Sequence, residues 1–203
     1  MSKSLGEMTN EELWTLFPIV LAPHDPLWTN RYAAAADRMV DALGRDRVVR
    51  ISHIGSTAVP GLVAKPTIDV LLEVFPDTDI AAMDAAFDSI GFRASPQPNH
   101  PAPHRMYLKG YTPEGFRGQV FHVHVRYAGD WDEYYFRDWL LEHPETAEAY
   151  AGLKRELKRS CEHDRDGYTD KKTAFVREVT MRARAAYGSR YRPSASSGGM
   201  SGI

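Results

Sequence analysis

Residues 50–74 read RISHIGSTAVPGLVAKPTIDVLLEV, and two features of that stretch could do chemistry. One apolar run stops at Gly55-Ser56, and a second holds a single carboxylate, Asp69, among Ile68, Val70, Leu71 and Leu72. A carboxylate buried in such company is costly unless a cation or hydrogen bonds compensate it. The Gly-Ser pair suggests the other half of a site. Gly55 has no side chain to block an approaching anion, so backbone N–H groups and the Ser56 hydroxyl can grip one. Asp69 on the neighbouring strand could hold a divalent cation beside that anion, as phosphoryl and nucleotidyl transfer require.

The classical nucleotide motifs are missing. Gly55 and Gly61 enclose five residues and no Gly-Lys-Ser/Thr follows, which excludes a P-loop; no G-x-G-x-x-G exists for a dinucleotide. In FHVHVR, His122 and His124 alternate along a strand, so their rings leave the same face. Beside Asp69 they would form a two-His, one-carboxylate set, which suits Mn, Fe or Zn better than Mg. The plainer alternative is a pair of hydrogen-bonding residues lining a pocket.

Several residues could support this centre. His53 precedes the Gly-Ser turn by two and faces either the same cleft or a structural partner. Thr57 could add a phosphate donor or cap the loop. Lys65, in a loop of small and apolar residues, could reach a phosphate as a point charge. Arg105 and Lys109 share one strand face and could form a cationic wall. Arg137-Asp138 reads as a structural ion pair. Trp28, Trp131, Trp139 and Phe136 read as core, or at most a base-stacking wall. HDRDG (163–167) lacks the acid spacing of a calcium loop and reads as a solvated turn. Cys161 reads as an unreactive thiol on a helix face.

The elements that must position these residues follow from periodicity. Helices are expected at 7–18, starting from TNEE, and at 28–43, ending at Gly44. Strands are expected at RVVRISHI and TIDVLLEV, the latter apolar enough for a central strand covered on both faces. A helix at 79–90, a short strand at FRAS and a proline-rich loop QPNHPAPH come next. RMYLKGY and QVFHVHVRYA read as paired strands around TPEGFRG. Helices then dominate: WDEYYFRDWLLEH, a segment opened by Pro144, and YTDKKTAFVREVTMRARAAYG. Strands in the middle with helices around them predict an α+β mixed sheet backed by helices, with a helical C-terminal part.

The whole chain sets the outer bounds. With 203 residues, 43 % hydrophobic and 26 % charged, it suits one well-buried globular core. A net charge of −2 gives no field that would gather nucleic acid or an anionic membrane. One cysteine excludes an internal disulfide framework. No signal-like apolar segment or membrane span is visible, so the expected location is the cytoplasm. Residues 1–17 read as an N-terminal extension, 18–188 as the folded domain, and 189–203, rich in Ser and Gly, as a disordered tail.

The spacing "apolar strand, Gly-Ser, a dozen residues, apolar-Asp-apolar" resembles the nucleotidyltransferase fold of the DNA polymerase β-like superfamily. IVLAPHDPLW, ISHIGSTAVPGLVAKPTIDVLLEV, FRDWLLEHPETAEAYAGLK and YTDKKTAFV together resemble the GrpB family, the UPF0157 group, from about residue 18 to about residue 187. The resemblance implies a nucleotidyltransferase-like fold. It also matches Tyr168 and Lys172, four apart on one helical face, to family positions, with Lys172 directed toward a triphosphate. An active superfamily member wants a second acid two residues after the first, and that place is Leu71. Glu73 shares its face, but four strand residues span roughly 13 Å, too far to share one ion with Asp69 over bonds of about 2.0–2.1 Å.

Three readings follow. One is an enzyme that uses a nucleoside triphosphate, ATP above all, with a divalent metal (Mg or Mn, with Zn or Fe also compatible). It would transfer AMP to a hydroxyl of a small molecule, or activate a carboxylate as its adenylate. Asp69, Lys65 and Lys172 would serve catalysis, and Gly55, Ser56, Thr57, His53, Arg105 and Lys109 would bind phosphate and substrate. Another is a nucleotide- or phosphate-binding accessory module that has lost the chemistry, in line with family members fused to dephospho-CoA kinase. The third uses Asp69, His122 and His124 as a metal centre without a nucleotide.

Overall fold

The computed structural model of the chain describes residues 3–193, and it is organised around a sheet with two unlike faces. Strands β1 (Val48–Ile54), β2 (Thr67–Val74), β3 (Arg93–Pro96), β4 (Arg105–Thr112) and β5 (Gly115–Tyr127) lie in the order β1-β2-β5-β4-β3. The central strands β2 and β5 are parallel, and the other three pairs are antiparallel. A parallel pair needs a crossover, here supplied by α3 (Ile80–Ser89) and the β3–β4 pair.

Strand alternation then sorts the side chains. From β2, Ile68, Val70, Leu72 and Val74 enter the main core with Val123, Val125 and Tyr107. Trp28, Met39 and Leu43 of α2 (Leu27–Leu43) and Met83 and Phe87 of α3 cover them. Asp69, Leu71 and Glu73 take the other face, toward α4 (Asp132–Glu142), α5 (Pro144–Cys161) and α6 (Arg165–Tyr187). With α1 (Asn10–Leu16), the described residues hold six α-helices and five strands, an α+β architecture with a helical C-terminal part.

The helix ends follow their local chemistry. Thr9 and Glu12 close a reciprocal capping box at the start of α1, and Asp79 accepts from the N–H groups of Ala81 and Ala82 at the start of α3. Pro144 occupies the first turn of α5, where its missing N–H costs nothing.

Two expectations need correction. HDRDG is a helix entrance rather than a solvated turn: Asp164 accepts from Gly167 N–H, so α6 begins at Arg165. The segment before residue 18 is held to the domain at its end, where Phe17 packs on Tyr111 and Phe116 and its carbonyl accepts from Arg165. At the other end, Tyr191 packs on Tyr134 and Tyr135 and Arg190 pairs with Glu142, so residues 189–193 are not a free tail; the rest of that segment lies outside the described residues. No helix among the described residues is long and apolar enough to cross a membrane.

Candidate functional site

Register brings the sequence-predicted centre together. In the parallel pair Asp69 lies opposite His122 and Leu71 opposite His124, so both rings stand beside the carboxylate. His122 Nδ1 is 3.5 Å and His124 Nε2 3.7 Å from Asp69 Oδ1. One ligand atom from each of the three residues falls within 4.8 Å of the others, a donor set able to hold a metal ion. The far nitrogen of His122, Nε2, is 2.7 Å from the Tyr111 hydroxyl, which fixes the ring with Nδ1 toward Asp69. Tyr111 gets there through an irregularity. The β4–β5 register shifts between Lys109 and Tyr111, at Gly110 (φ 93°), turning Tyr111 onto the face opposite to Lys109.

The Gly-Ser turn lies against this centre. Ile54, the last residue of β1, is opposite Asp69, so the turn begins directly beside the carboxylate. Gly55 has φ 69°, and a Cβ there would sit 2.5 Å from Asp69 Oδ2. Only glycine allows that approach.

A ring of cations surrounds the pair. From α5, Lys154 is only 2 % exposed and donates to Ser56 Oγ (3.1 Å) and to the Val63 carbonyl. Lys65 and Lys172 lie 5.6 Å and 4.5 Å from the centre of the Tyr168 ring. Arg165 donates to the Tyr111 hydroxyl at 3.3 Å. All four cations border one cleft of about 1120 Å³ that also contains Gly55, Ser56, Asp69, His122 and His124. The Tyr168 hydroxyl, on the same wall, is buried with no hydrogen-bond partner.

Burial and mutual repulsion shape the titration. Burial first, then Lys172 and Arg165, push the Lys65 ammonium down to about 7. Burial, then Lys172, Arg155 and Lys65, do the same to Lys154, also to about 7. Lys172 is lowered by burial, which outweighs the pull of Asp69. Burial alone would raise Asp69, but the two His rings and Lys65 outweigh it and hold the carboxyl below its ordinary value. Burial lowers His122 to about 4 against the pull of Asp69, leaving the neutral imidazole that a metal requires. Elsewhere the cleft carries Arg184 paired with Asp130 and Asp132, Arg126 paired with Glu133, and Asp166, so the four cations make only its Asp69 end positive, and that local field attracts anions.

The remaining predicted residues divide sharply. Arg105 and Lys109 point to the other face of the sheet, because Met106 and Leu108 are the residues opposite His124 and His122. Arg105 pairs with Asp84, and Lys109 donates to the Ile90 carbonyl; there is no cationic wall at the cleft. His53 also faces away, stacked on Tyr32 and bonded to Thr57, with burial lowering it to about 4. Thr57 is buried and donates to the Thr67 carbonyl, so it braces the loop instead of meeting a phosphate. Arg137 pairs with Asp138, the structural bridge the sequence suggests. Leu71 is sealed against Ile54 and Tyr134, and Glu73 is consumed by Arg50, Tyr134 and the Gly129 N–H.

Lys154, Arg165 and Tyr111 escape the sequence reading. For Lys154 a signal existed: Tyr150, Lys154, Leu157 and Cys161 form one buried helical stripe, and a lysine in that stripe needs a reason. Arg165 is hidden because HDRDG has the composition of a turn although Asp164 caps a helix there, and Tyr111 because the shift at Gly110 breaks the strand alternation.

Fold and site together describe an α+β protein whose mixed sheet carries a carboxylate and two imidazoles beside a cluster of cations. Residues 18–182 match the family described as GrpB protein, and the chain belongs to the GrpB family. It is 40 % identical over 170 residues to a UPF0157 protein of Pseudomonas aeruginosa, covering 83 % of this chain and 69 % of that one. A UPF0157 protein of Streptomyces coelicolor is 34 % identical, with 83 % and 86 % covered. The crystal structure of the conserved protein GrpB from Enterococcus faecalis is similar at a TM-score of 0.72 and 26 % identity, covering 83 % of this chain and 99 % of that one.

Proposed function

We propose that the cleft binds a divalent cation and the phosphates of a nucleoside triphosphate, ATP in the simplest case, and transfers its nucleotidyl group to a small molecule. One observation carries this reading: the Gly55-Ser56 turn meets Asp69, His122 and His124 inside a ring of four cations. Two imidazoles and one carboxylate fit manganese, zinc or iron better than magnesium. When bound, the ion would supply positive charge at the phosphates. Ser56 and its neighbouring N–H groups would hold a phosphate oxygen, with Lys154 fixing the Ser56 hydroxyl. Lys65, lowered to about 7, would regain its proton against the bound anion, and Lys65 and Lys172 would neutralise charge that builds on the leaving pyrophosphate.

A nucleotide-binding module without turnover is the second reading. The burial of Leu71 and the engagement of Glu73 favour it, since they leave Asp69 as the sole free carboxylate of β2. Calorimetric titration with manganese and a non-hydrolysable ATP analogue, followed by pyrophosphate assays with a metabolite pool, separates the cases. Metal-dependent pyrophosphate release that disappears in Asp69→Ala supports the transferase. Nucleotide binding without release supports the module. Metal binding with no nucleotide affinity would overturn both in favour of a metal centre acting alone.

A further inference from the structure

On the far side of Lys65 lies a second cavity of about 570 Å³, walled by Pro18, Val20, Pro23, Trp28, Phe116 and Val120. Its size falls in the usual range for small-molecule sites. Segment 18–25 is pinned over it by paired hydrogen bonds between Ala22 and Ala64. Val20 and Phe116 stay 43 % and 41 % exposed, so the mouth shows apolar surface that no part of the described fold covers.

The inner end of this cavity has the opposite character. Lys65, Thr67 and Arg165 line both it and the larger cleft, so these three side chains form the wall between them. Lys65 Nζ has no hydrogen-bond or ion-pair partner among the described residues. Arg165 donates to neutral oxygens alone, the Phe17 carbonyl and the Tyr111 hydroxyl. Arg31 at the rim is already neutralised by Asp25. An apolar chamber ending in a lysine and an arginine with no ion-pair partner among the described residues is complementary to a molecule with an apolar body and one anionic end, which would also draw the Lys65 proton back on.

We propose that this pocket seats the acceptor, and that the acceptor is a carboxylic acid with an aliphatic or aromatic body whose carboxylate meets Lys65 and Arg165. The chemical step rests on the nucleotidyl-transfer reading above. A carboxylate oxygen bonds to the α-phosphorus, the bond from that phosphorus to the bridging oxygen breaks, and pyrophosphate leaves with the electron pair. The product is an acyl adenylate. No proton has to be removed from a carboxylate, which agrees with a shared wall that offers cations and a hydroxyl but no acidic side chain.

Binding can be tested without nucleotide or metal. Calorimetry of the full chain with octanoate and 4-phenylbutyrate should show affinities at least about tenfold above those of the corresponding primary amides. Lys65→Met should erase the difference between acid and amide. Val20→Glu, at the exposed mouth, should abolish acid binding, and Phe116→Glu repeats that test if the first variant does not fold. No binding by either acid, equal affinity for acid and amide, or indifference to both mouth variants would overturn the proposal. Acid binding with no affinity for manganese and ATP would instead sink the nucleotide reading and leave the pocket standing.

Discussion

Two carboxylates stand on one face of β2, four residues apart, in contrasting surroundings. Glu73 is 1 % exposed and fully engaged: Arg50 grips it twice, the Tyr134 hydroxyl donates at 2.6 Å and the Gly129 N–H at 2.9 Å. Asp69 has only two imidazoles beyond ordinary hydrogen-bond distance, at 3.5 Å and 3.7 Å, and keeps 28 % of its side chain exposed. The cations nearest Asp69 are aimed into a cleft instead of onto its oxygens. Charge at the Glu73 end is satisfied internally and serves the fold. Charge at the Asp69 end is left open, and stability is given up for it.

Exchanging each acid for its amide tests that contrast most severely. Asp69→Asn should weaken manganese binding by more than about 100-fold, since the loss of a residue that merely supports a ligand already costs 10–100-fold. Its thermal stability at pH 7 should fall only modestly, because the surroundings that hold the Asp69 carboxyl below its ordinary value favour the charge that Asn removes, while no strong hydrogen bond is lost. Glu73→Gln should do the reverse. Breaking its buried pairing should cost about 2 kcal/mol, at the low side for such pairs because Arg50 is partly exposed. Its manganese affinity should stay within about threefold of wild type once folded. Metal titration and chemical denaturation of both variants read the two effects separately. Equal losses of stability would remove the distinction between the two ends.

A smaller perturbation reaches the open end from the loop side. Gly55→Ala puts a methyl group 2.5 Å from Asp69 Oδ2 at a φ of 69°. The carboxylate must shift, and manganese affinity should fall about tenfold while the protein stays folded, at a cost of about 1–2 kcal/mol. An unchanged affinity would mean that the turn does not set the carboxylate's position.

The heart of the open end is more legible in the sequence than the partners that close off Glu73, none of which the strand alternation indicates. Alternation along TIDVLLEV places Asp69 and Glu73 on one face, and alternation in FHVHVR aligns two His with the first of them. Those are local, period-two signals, and both carried through to the geometry. Arg105 and Lys109 obey the same alternation, but the sequence does not say which of the two faces it assigns them to; that depends on register against β5. Tyr111 was invisible because the shift at Gly110 breaks the period, and Arg165 because a cap formed by Asp164 starts a helix where the composition suggested a turn. Lys154 comes from a helix 98 residues beyond Ser56, a contact that only tertiary packing creates.

The same lysine gives the finest test of the comparison, since its charge is buried and faces other cations. Lys154 and Lys65 are both lowered from 10.5 to about 7, by burial first. Between pH 7 and 10.5 the unfolded chain therefore binds more protons than the folded one, so these two groups make stability rise with pH across that window. Below about 7 both states carry the charge and the full cost of burying it is present. Anion binding has the opposite sign, because it needs the protonated ammonium. Affinity for trimetaphosphate, whose own charge is constant in this range, should fall as pH rises through 7, by at most about tenfold per pH unit for each proton taken up. Lys154→Met should flatten that profile and raise stability most at pH 6, where the wild type bears the whole cost. A pH-independent affinity in the wild type would mean that neither lysine meets the anion, and the open end would then be an unsatisfied cluster without a ligand to explain it.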